Sequence, residues 1–194
     1  MMKKILLTLV FCVLLLTSCS EVKLEPSLSE LPSDYTLESA KTDGCIVFEN
    51  LDITSGQEHW NDFLTSVDAK KSCTVRLYFY STLDPSLYTE EHYEELSKDY
   101  PKIEVFDLSY HRKKFTVTKI VDGETVKEEY AYLLKSEDEP ILPSLSGYSR
   151  RIVYFLSDTP DITWMQAVIS SNPTSKEEPY HYQRVYSDYI RTAE

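Results

Sequence analysis

The chain has 194 residues, of which 32 are acidic and 20 are basic, so its formal net charge is −12 at neutral pH. An acidic surface repels the phosphate backbone of nucleic acids, and we find no basic cluster beyond Arg112–Lys114, so we expect no nucleic-acid partner. The length fits one domain with a sizeable hydrophobic core.

The first nineteen residues have the pattern of an export signal. Lys3 and Lys4 form a basic start, and residues 5–16 are almost entirely apolar. This run is shorter than the roughly 20 residues needed to span a bilayer core, which favours a cleaved signal over a permanent span. Leu16-Thr17-Ser18-Cys19 resembles the lipobox of bacterial lipoproteins, in which the cysteine is lipidated and becomes the mature N-terminus. An ordinary signal peptide is the alternative, but its cleavage site prefers a small residue where Leu16 stands.

We therefore expect residues 1–18 to be a lipoprotein signal peptide and Cys19 to be the site of lipid attachment. The resemblance implies a diacylglyceryl group, whose two chains anchor a protein stably where one chain binds only marginally. Loss of Lys3 and Lys4 with the signal lowers the net charge from −12 to −14, which argues against further attraction to anionic lipid. The expected location is the extracytoplasmic side of the cell membrane, with this N-terminal lipid anchor as the membrane contact.

The tethered domain is predicted to begin at Tyr35. Residues 19–34 are rich in Ser, Pro and Glu and predict a flexible tether, and residues 35–194 predict a single domain. Thr36 is the expected N-cap of a short helix over residues 37–41, which Gly44 ends. An apolar strand over residues 45–49 follows.

The next two elements predict a strand–helix–strand crossover. A helix beginning at Ser55 or Gly56 has a buried face formed by Trp60, Phe63, Leu64 and Val67. Residues 74–80 alternate as a strand that turns Val75, Leu77 and Phe79 to the core and Thr74, Arg76, Tyr78 and Tyr80 to the other side.

Residues 83–101 are irregular and include a helix over residues 89–98 capped by Thr89. Strands without helices come next, over residues 103–108, 115–120 and, after the hairpin turn Asp122-Gly123, 125–135.

The C-terminal third contains three further predicted elements. A loop over residues 136–148 leads into a strand over 150–157. A helix starts near residues 158–161 and has a body over 162–170, with Trp164, Val168, Met165 and Ile169 as its apolar side. An edge strand over 180–186 follows a linker. Together the elements predict an α+β domain, a mainly antiparallel sheet with two to four helices packed on one face.

The search for chemistry assigns no catalytic residue, no metal ligands and no cofactor. The densest ionisable cluster is Glu90-Glu91-His92-Tyr93-Glu94-Glu95, which on a helix is either a solvated face or a site for a divalent ion. There is no GxSxG motif, and the four glycines are isolated, so a phosphate-cradling loop is excluded.

Two residue types, cysteine and tyrosine, each leave an alternative open. Export permits a disulfide between Cys45 and Cys73, and two small buried thiols are the alternative. The fifteen tyrosines include Tyr78, Tyr80, Tyr182 and Tyr186, which form a binding face if they are exposed together and ordinary sheet positions if they are not.

Several segments also resemble a group of small, uncharacterised bacterial lipoproteins of Gram-positive type. The resemblance rests on the lipobox, residues 34–40 and 43–47, Gly56–Trp60 and Val75–Leu77. That group implies a location but no activity. The leading hypothesis is a non-enzymatic lipoprotein that binds an envelope protein or an extracellular ligand. The alternative is an extracytoplasmic enzyme with an acidic site near the 89–98 helix.

Overall fold

The computed structural model describes residues 24–139, 148–175 and 178–191, so the predicted signal peptide and Cys19 lie outside the described residues. The helices are α1 (Leu37–Thr42), α2 (Gln57–Asp68), α3 (Glu90–Leu96) and α4 (Trp164–Ser170). The strands are β1 (Ile46–Glu49), β2 (Asp52–Ser55), β3 (Cys73–Ser81), β4 (Lys102–His111), β5 (Lys114–Val121), β6 (Glu124–Tyr130), β7 (Tyr132–Asp138), β8 (Tyr148–Ser157) and β9 (Tyr182–Arg191). The predicted α+β class is confirmed. Among the described residues, no helix has the length and apolar character needed to span a bilayer.

Strands β1 to β6 form a mixed sheet in the order β2-β1-β3-β4-β5-β6. Strands β1 and β3 are parallel, and the other neighbours are antiparallel. Helix α2 lies between β2 and β3 in the chain, so the predicted crossover is confirmed. The sequence pattern did not predict β2, because the turn before it is made by Asn50 and Leu51, with φ values of 49° and 81°. Leucine rarely adopts that left-handed conformation, so the turn has no recognisable signature.

Strands β7 to β9 form a second, antiparallel sheet. The predicted single strand over residues 125–135 is wrong, because β6 ends at Tyr130 and pairs with β5, whereas β7 begins at Tyr132 and pairs with β8. Ala131 lies between them, and its N–H donates to Oδ1 of Asp158 at 3.1 Å. The segment contains neither Gly nor Pro, so nothing in its sequence marks the change of sheet.

One hydrophobic core joins the two sheets. Helix α2 buries Trp60 and Phe63 against the six-stranded sheet, as its spacing predicts, and the smaller sheet adds Leu156, Val185 and Tyr186 to the same cluster. The rings of Trp60 and Tyr186 stack with their centroids 4.9 Å apart. Gly56 precedes α2 at a point where a Cβ would lie 2.6 Å from the carbonyl oxygen of Cys45, so glycine lets the helix begin close to β1.

The helices do not pack on one face, which corrects the sequence prediction. Helix α1 lies on the opposite face of the six-stranded sheet from α2, where Ala40, Cys45, Val47 and Tyr78 form a second buried cluster. Thr36 caps α1 as predicted, because its side chain accepts a hydrogen bond from the N–H of Ser39. The second face needs this cover because β1 and β3 carry apolar residues on both sides.

Helix α4 covers the outer face of the smaller sheet, with its small residues facing inward. Ala167 and Ser170 are buried, whereas Met165, Val168 and Ile169 are 51%, 39% and 56% exposed. The predicted apolar side of this helix is therefore confirmed for Trp164, which packs against Phe155 and Tyr182, and wrong for the other three residues. Its N-cap is Thr163, which forms a capping box with Gln166. Small residues let the short helix approach the sheet closely, which the apolar pattern does not reveal.

Candidate functional site

Beyond the apolar cluster beneath α1, the same face of the six-stranded sheet is polar from the start of β3 across β4 to β6. One cross-strand row consists of Arg76, Asp107, Thr118 and Lys127, and the neighbouring row consists of Thr74, Ser109 and Thr116. Along these strands the polar side chains alternate with residues that enter the core on the opposite face. The strands therefore present hydroxyl groups and the Arg76–Asp107 ion pair on the side away from the main core.

Two adjoining cavities follow this polar face, and we call them together the polar groove. The larger, of about 480 Å³, lies over Thr74, Asp107, Ser109, Thr116, Thr118, Thr125 and Lys127 and is closed on its other side by residues 24–25 and 27–30. The smaller, of about 360 Å³, lies at the start of β3 and contacts Cys45, His59, Cys73 and Arg76. Leu24, Glu25 and Thr74 line both cavities, so the two lie side by side.

A bidentate ion pair forms the floor of the groove. Nε of Arg76 donates to Oδ1 of Asp107 at 2.7 Å, and Nη2 donates to Oδ2 at 3.0 Å. The two side chains are 7% and 17% exposed. Burial, the largest single influence, lowers the pKa of Arg76, but hydrogen bonds and attraction from Asp107 outweigh it, so the net shift is upward. The guanidinium of Arg76 thus keeps its charge, and Asp107 lies against it as the counter-charge.

The two thiols beside the groove are not activated nucleophiles. Cys45 and Cys73 are both free, so the disulfide that export permits is not present in this structure. Burial raises the pKa of the Cys73 thiol to about 11 and is also the main cause of the raised pKa of Cys45. The hydroxyl of Tyr35 lies 3.4 Å from Sγ of Cys45. A thiol whose pKa is raised is mostly protonated at neutral pH and reacts slowly.

The acidic segment Glu90–Glu95 lies away from the groove. It forms most of α3, which Thr89 caps as predicted, and this helix has no buried residue. The rings of His92 and Tyr88 lie in tilted contact, with centroids 5.7 Å apart, beside an open depression that Glu91 and Glu95 also line. Within the described ranges, no group of three His, Cys, Asp or Glu side chains is placed to hold a metal ion. The segment has the features of a solvated helix face.

Of the two alternatives for the four tyrosines, the structure contradicts the exposed binding face and favours ordinary sheet positions. Tyr78 and Tyr186 are 0% and 4% exposed and belong to two different buried clusters on opposite sides of the six-stranded sheet. Tyr80 is half-buried against the cluster that contains Tyr78, and Tyr182 packs against Trp164 of helix α4. The four rings therefore share no exposed patch that could contact a partner.

Sequence reasoning missed the polar groove because it searched for ionisable clusters rather than hydroxyl groups. The available signal was the alternation of Thr116 and Thr118 with apolar residues on a predicted strand. That pattern is also typical of a solvent-facing strand, and only the cover over the groove distinguishes the two. Comparison with known protein families, curated proteins and solved structures finds no match for this chain.

Proposed function

We propose that the chain is a membrane-anchored, extracytoplasmic lipoprotein whose domain binds a partner, an envelope protein or an extracellular ligand, through the polar groove. The observation that carries the proposal is the lining of the groove, in which threonine and serine hydroxyls surround a buried ion pair. Such a lining offers hydrogen bonds to a polar partner.

Binding is favoured over catalysis by the state of the reactive groups. The pKa values of both thiols are raised, which disfavours the thiolate, and the carboxylate of Asp107 is engaged by both nitrogens of the Arg76 fork. General acid–base catalysis needs a group that exchanges a proton near neutral pH within reach of the substrate. A hydrogen-bonding surface needs only donors and acceptors in fixed positions, which the strands supply.

The anchor part of the proposal rests on the lipobox at Leu16–Cys19 and is tested by fractionation. We expect the wild-type protein in the membrane fraction and Cys19→Ala in the soluble fraction. The matched control is Cys12→Ala, which removes a cysteine from the apolar part of the signal and should leave the protein on the membrane. A Cys19→Ala protein that stays tightly bound to the membrane would contradict lipid anchoring.

The binding part is tested by photo-crosslinking in cells. A photoreactive residue at Thr118 lies in the groove, whereas one at the exposed Thr65 on α2 serves as the control. We expect a discrete crosslinked product from position 118 that is absent from position 65. Equal products from the two positions, or none from position 118, would contradict a binding role for the groove.

A further inference from the structure

The N-terminal segment that precedes the first helix lies over the polar groove. Residues 28–30 form a 3-10 turn that contacts β4 and β5. Leu28 is only 9% exposed, although its neighbours at positions 25–27 and 29–30 are all serine, proline or glutamate. The described part of the predicted tether therefore has a docked position on the domain, which we call the strap (residues 24–31).

Internal hydrogen bonds fix the conformation of the strap, and the buried side chain of Leu28 holds it on the domain. The N–H and the hydroxyl of Ser27 both donate to Oε2 of Glu30, at 2.9 and 2.6 Å, and this pair closes the turn. Leu28 lines the larger cavity together with Thr116 and Thr118. Burial of one leucine side chain shifts the equilibrium between the docked and the released strap by about 10- to 150-fold. Docking of this strength keeps the strap on the groove but lets a partner displace it.

We propose that the polar groove binds a peptide segment of a partner that carries a leucine among serines and carboxylates, and that the strap is its built-in competitor. The inference rests on the proposed binding function of the groove and names its ligand class. The strap that covers the groove indicates which chemistry fits. Leu28 is buried there, and the serines and glutamates of residues 25–30 line the larger cavity together with threonine hydroxyls and Lys127.

Exchange of the strap for a partner would also change the reach of the domain. Leu24 stands five residues after Cys19, so a docked strap holds the domain within about 17 Å of an anchored cysteine. Once the strap is released, the chain is free up to Tyr35, whose ring packs against Tyr78. Tyr35 stands sixteen residues after Cys19, so the limit rises to about 54 Å. Binding and extension from the membrane are thus coupled through one segment.

The test uses the full-length chain, purified in detergent, and a fluorescent peptide with the sequence of residues 24–34, LEPSLSELPSD. Leu28→Asp opens the strap, and the milder Leu28→Ala serves if the first variant folds poorly. The matched control is Leu87→Asp, which changes a leucine in another 3-10 turn that is 73% exposed. We expect the peptide to bind Leu28→Asp at least about tenfold more tightly than the wild type or Leu87→Asp.

Two further measurements locate the binding. A peptide with aspartate in place of its Leu28 equivalent should not bind, and Thr118→Arg added to Leu28→Asp should abolish binding of the unchanged peptide. In the wild type, saturating peptide should speed hydrogen exchange at the amide of Leu31, which donates to the carbonyl of Leu28 in the docked strap.

Three results would overturn the inference. Equal affinity of the three proteins would show that the strap does not compete. Wild-type dimers that Leu28→Asp dissolves would show that the occupant is the strap of a second copy. No peptide binding by the opened variants, with the Thr118 crosslink still present in cells, would leave the proposed function standing and remove this ligand class. Loss of that crosslink as well would overturn the proposed function itself.

Discussion

Removal of the negative charge beneath the groove should destabilise the domain strongly. Asp107→Asn leaves the Arg76 guanidinium, which is 7% exposed, without its counter-charge. Breaking one side of a buried pair typically costs about 3–5 kcal/mol. Since Asp107 itself is 17% exposed and water can partly replace it, we expect a loss near the lower end, about 3 kcal/mol.

The double variant separates the interaction from the burial of a lone charge. Arg76→Met with Asp107→Leu removes both charges, and we expect its free energy of unfolding to lie within about 1 kcal/mol of wild type. Urea unfolding of the wild type, Arg76→Met, Asp107→Leu and the double variant, followed by fluorescence and circular dichroism, gives the coupling energy between the two side chains.

A surface pair provides the matched control for this cycle. Nζ of Lys114 lies 2.6 Å from Oε2 of Glu129, closer than the buried pair, but the side chains are 65% and 59% exposed. We expect no measurable shift of the urea midpoint for Glu129→Gln. If Asp107→Asn is as harmless as this control, the assignment of the ion pair as a buried structural element of the groove is refuted.

Three further outcomes are expected. The hydrogen bond from Lys119 lowers the pKa of Glu128, so this carboxylate contributes stability above its unfolded pKa of about 4.3 and loses it as the pH falls through the folded value. The free energies of unfolding of wild type and Glu128→Gln, measured in urea, should differ by about 0.5–1 kcal/mol at pH 7 and converge under acid, whereas a constant gap would refute the linkage. The pKa of the Cys73 thiol is raised to about 11 by burial, so little of the reactive thiolate is present at pH 8. Its reaction with iodoacetamide at that pH should be about 100-fold slower in the native protein than in urea, and equal rates would contradict its burial. Trp60 is 1% exposed and its Nε1–H has no acceptor among the described residues. In urea unfolding, Trp60→Phe should therefore lower the free energy of unfolding by less than about 2 kcal/mol, and Trp60→Ala by about 3–5 kcal/mol. Similar losses for the two variants would show that the indole nitrogen is satisfied.

Local sequence signals predicted most of the elements. The caps at Thr36 and Thr89, the buried spacing of Trp60 and Phe63 and the alternation along β3 all agree with the structure. Each of these signals depends on neighbours within one turn or one strand, so a sequence contains the information needed to read it. The lipobox is a signal of the same kind, and its consequence for Cys19 stays a prediction.

The failed predictions concern partners that are distant in the chain. The alternation on β3 separates Tyr78 from Leu77 correctly, but it does not say that α1 covers the tyrosine side. The pattern through Ala131 likewise continues while the strand changes sheets, because pairing depends on β5 and β8 rather than on the segment itself.

By itself, the sequence determined the export pattern, the acidic charge and the order of local elements in an α+β chain. Only the tertiary structure decided that two tyrosines are buried, that Arg76 meets Asp107 across thirty-one residues, and that Leu28 closes a hydroxyl-lined groove. The physical reason is that burial and pairing are properties of residues brought together by folding, whereas caps and alternation are properties of adjacent residues.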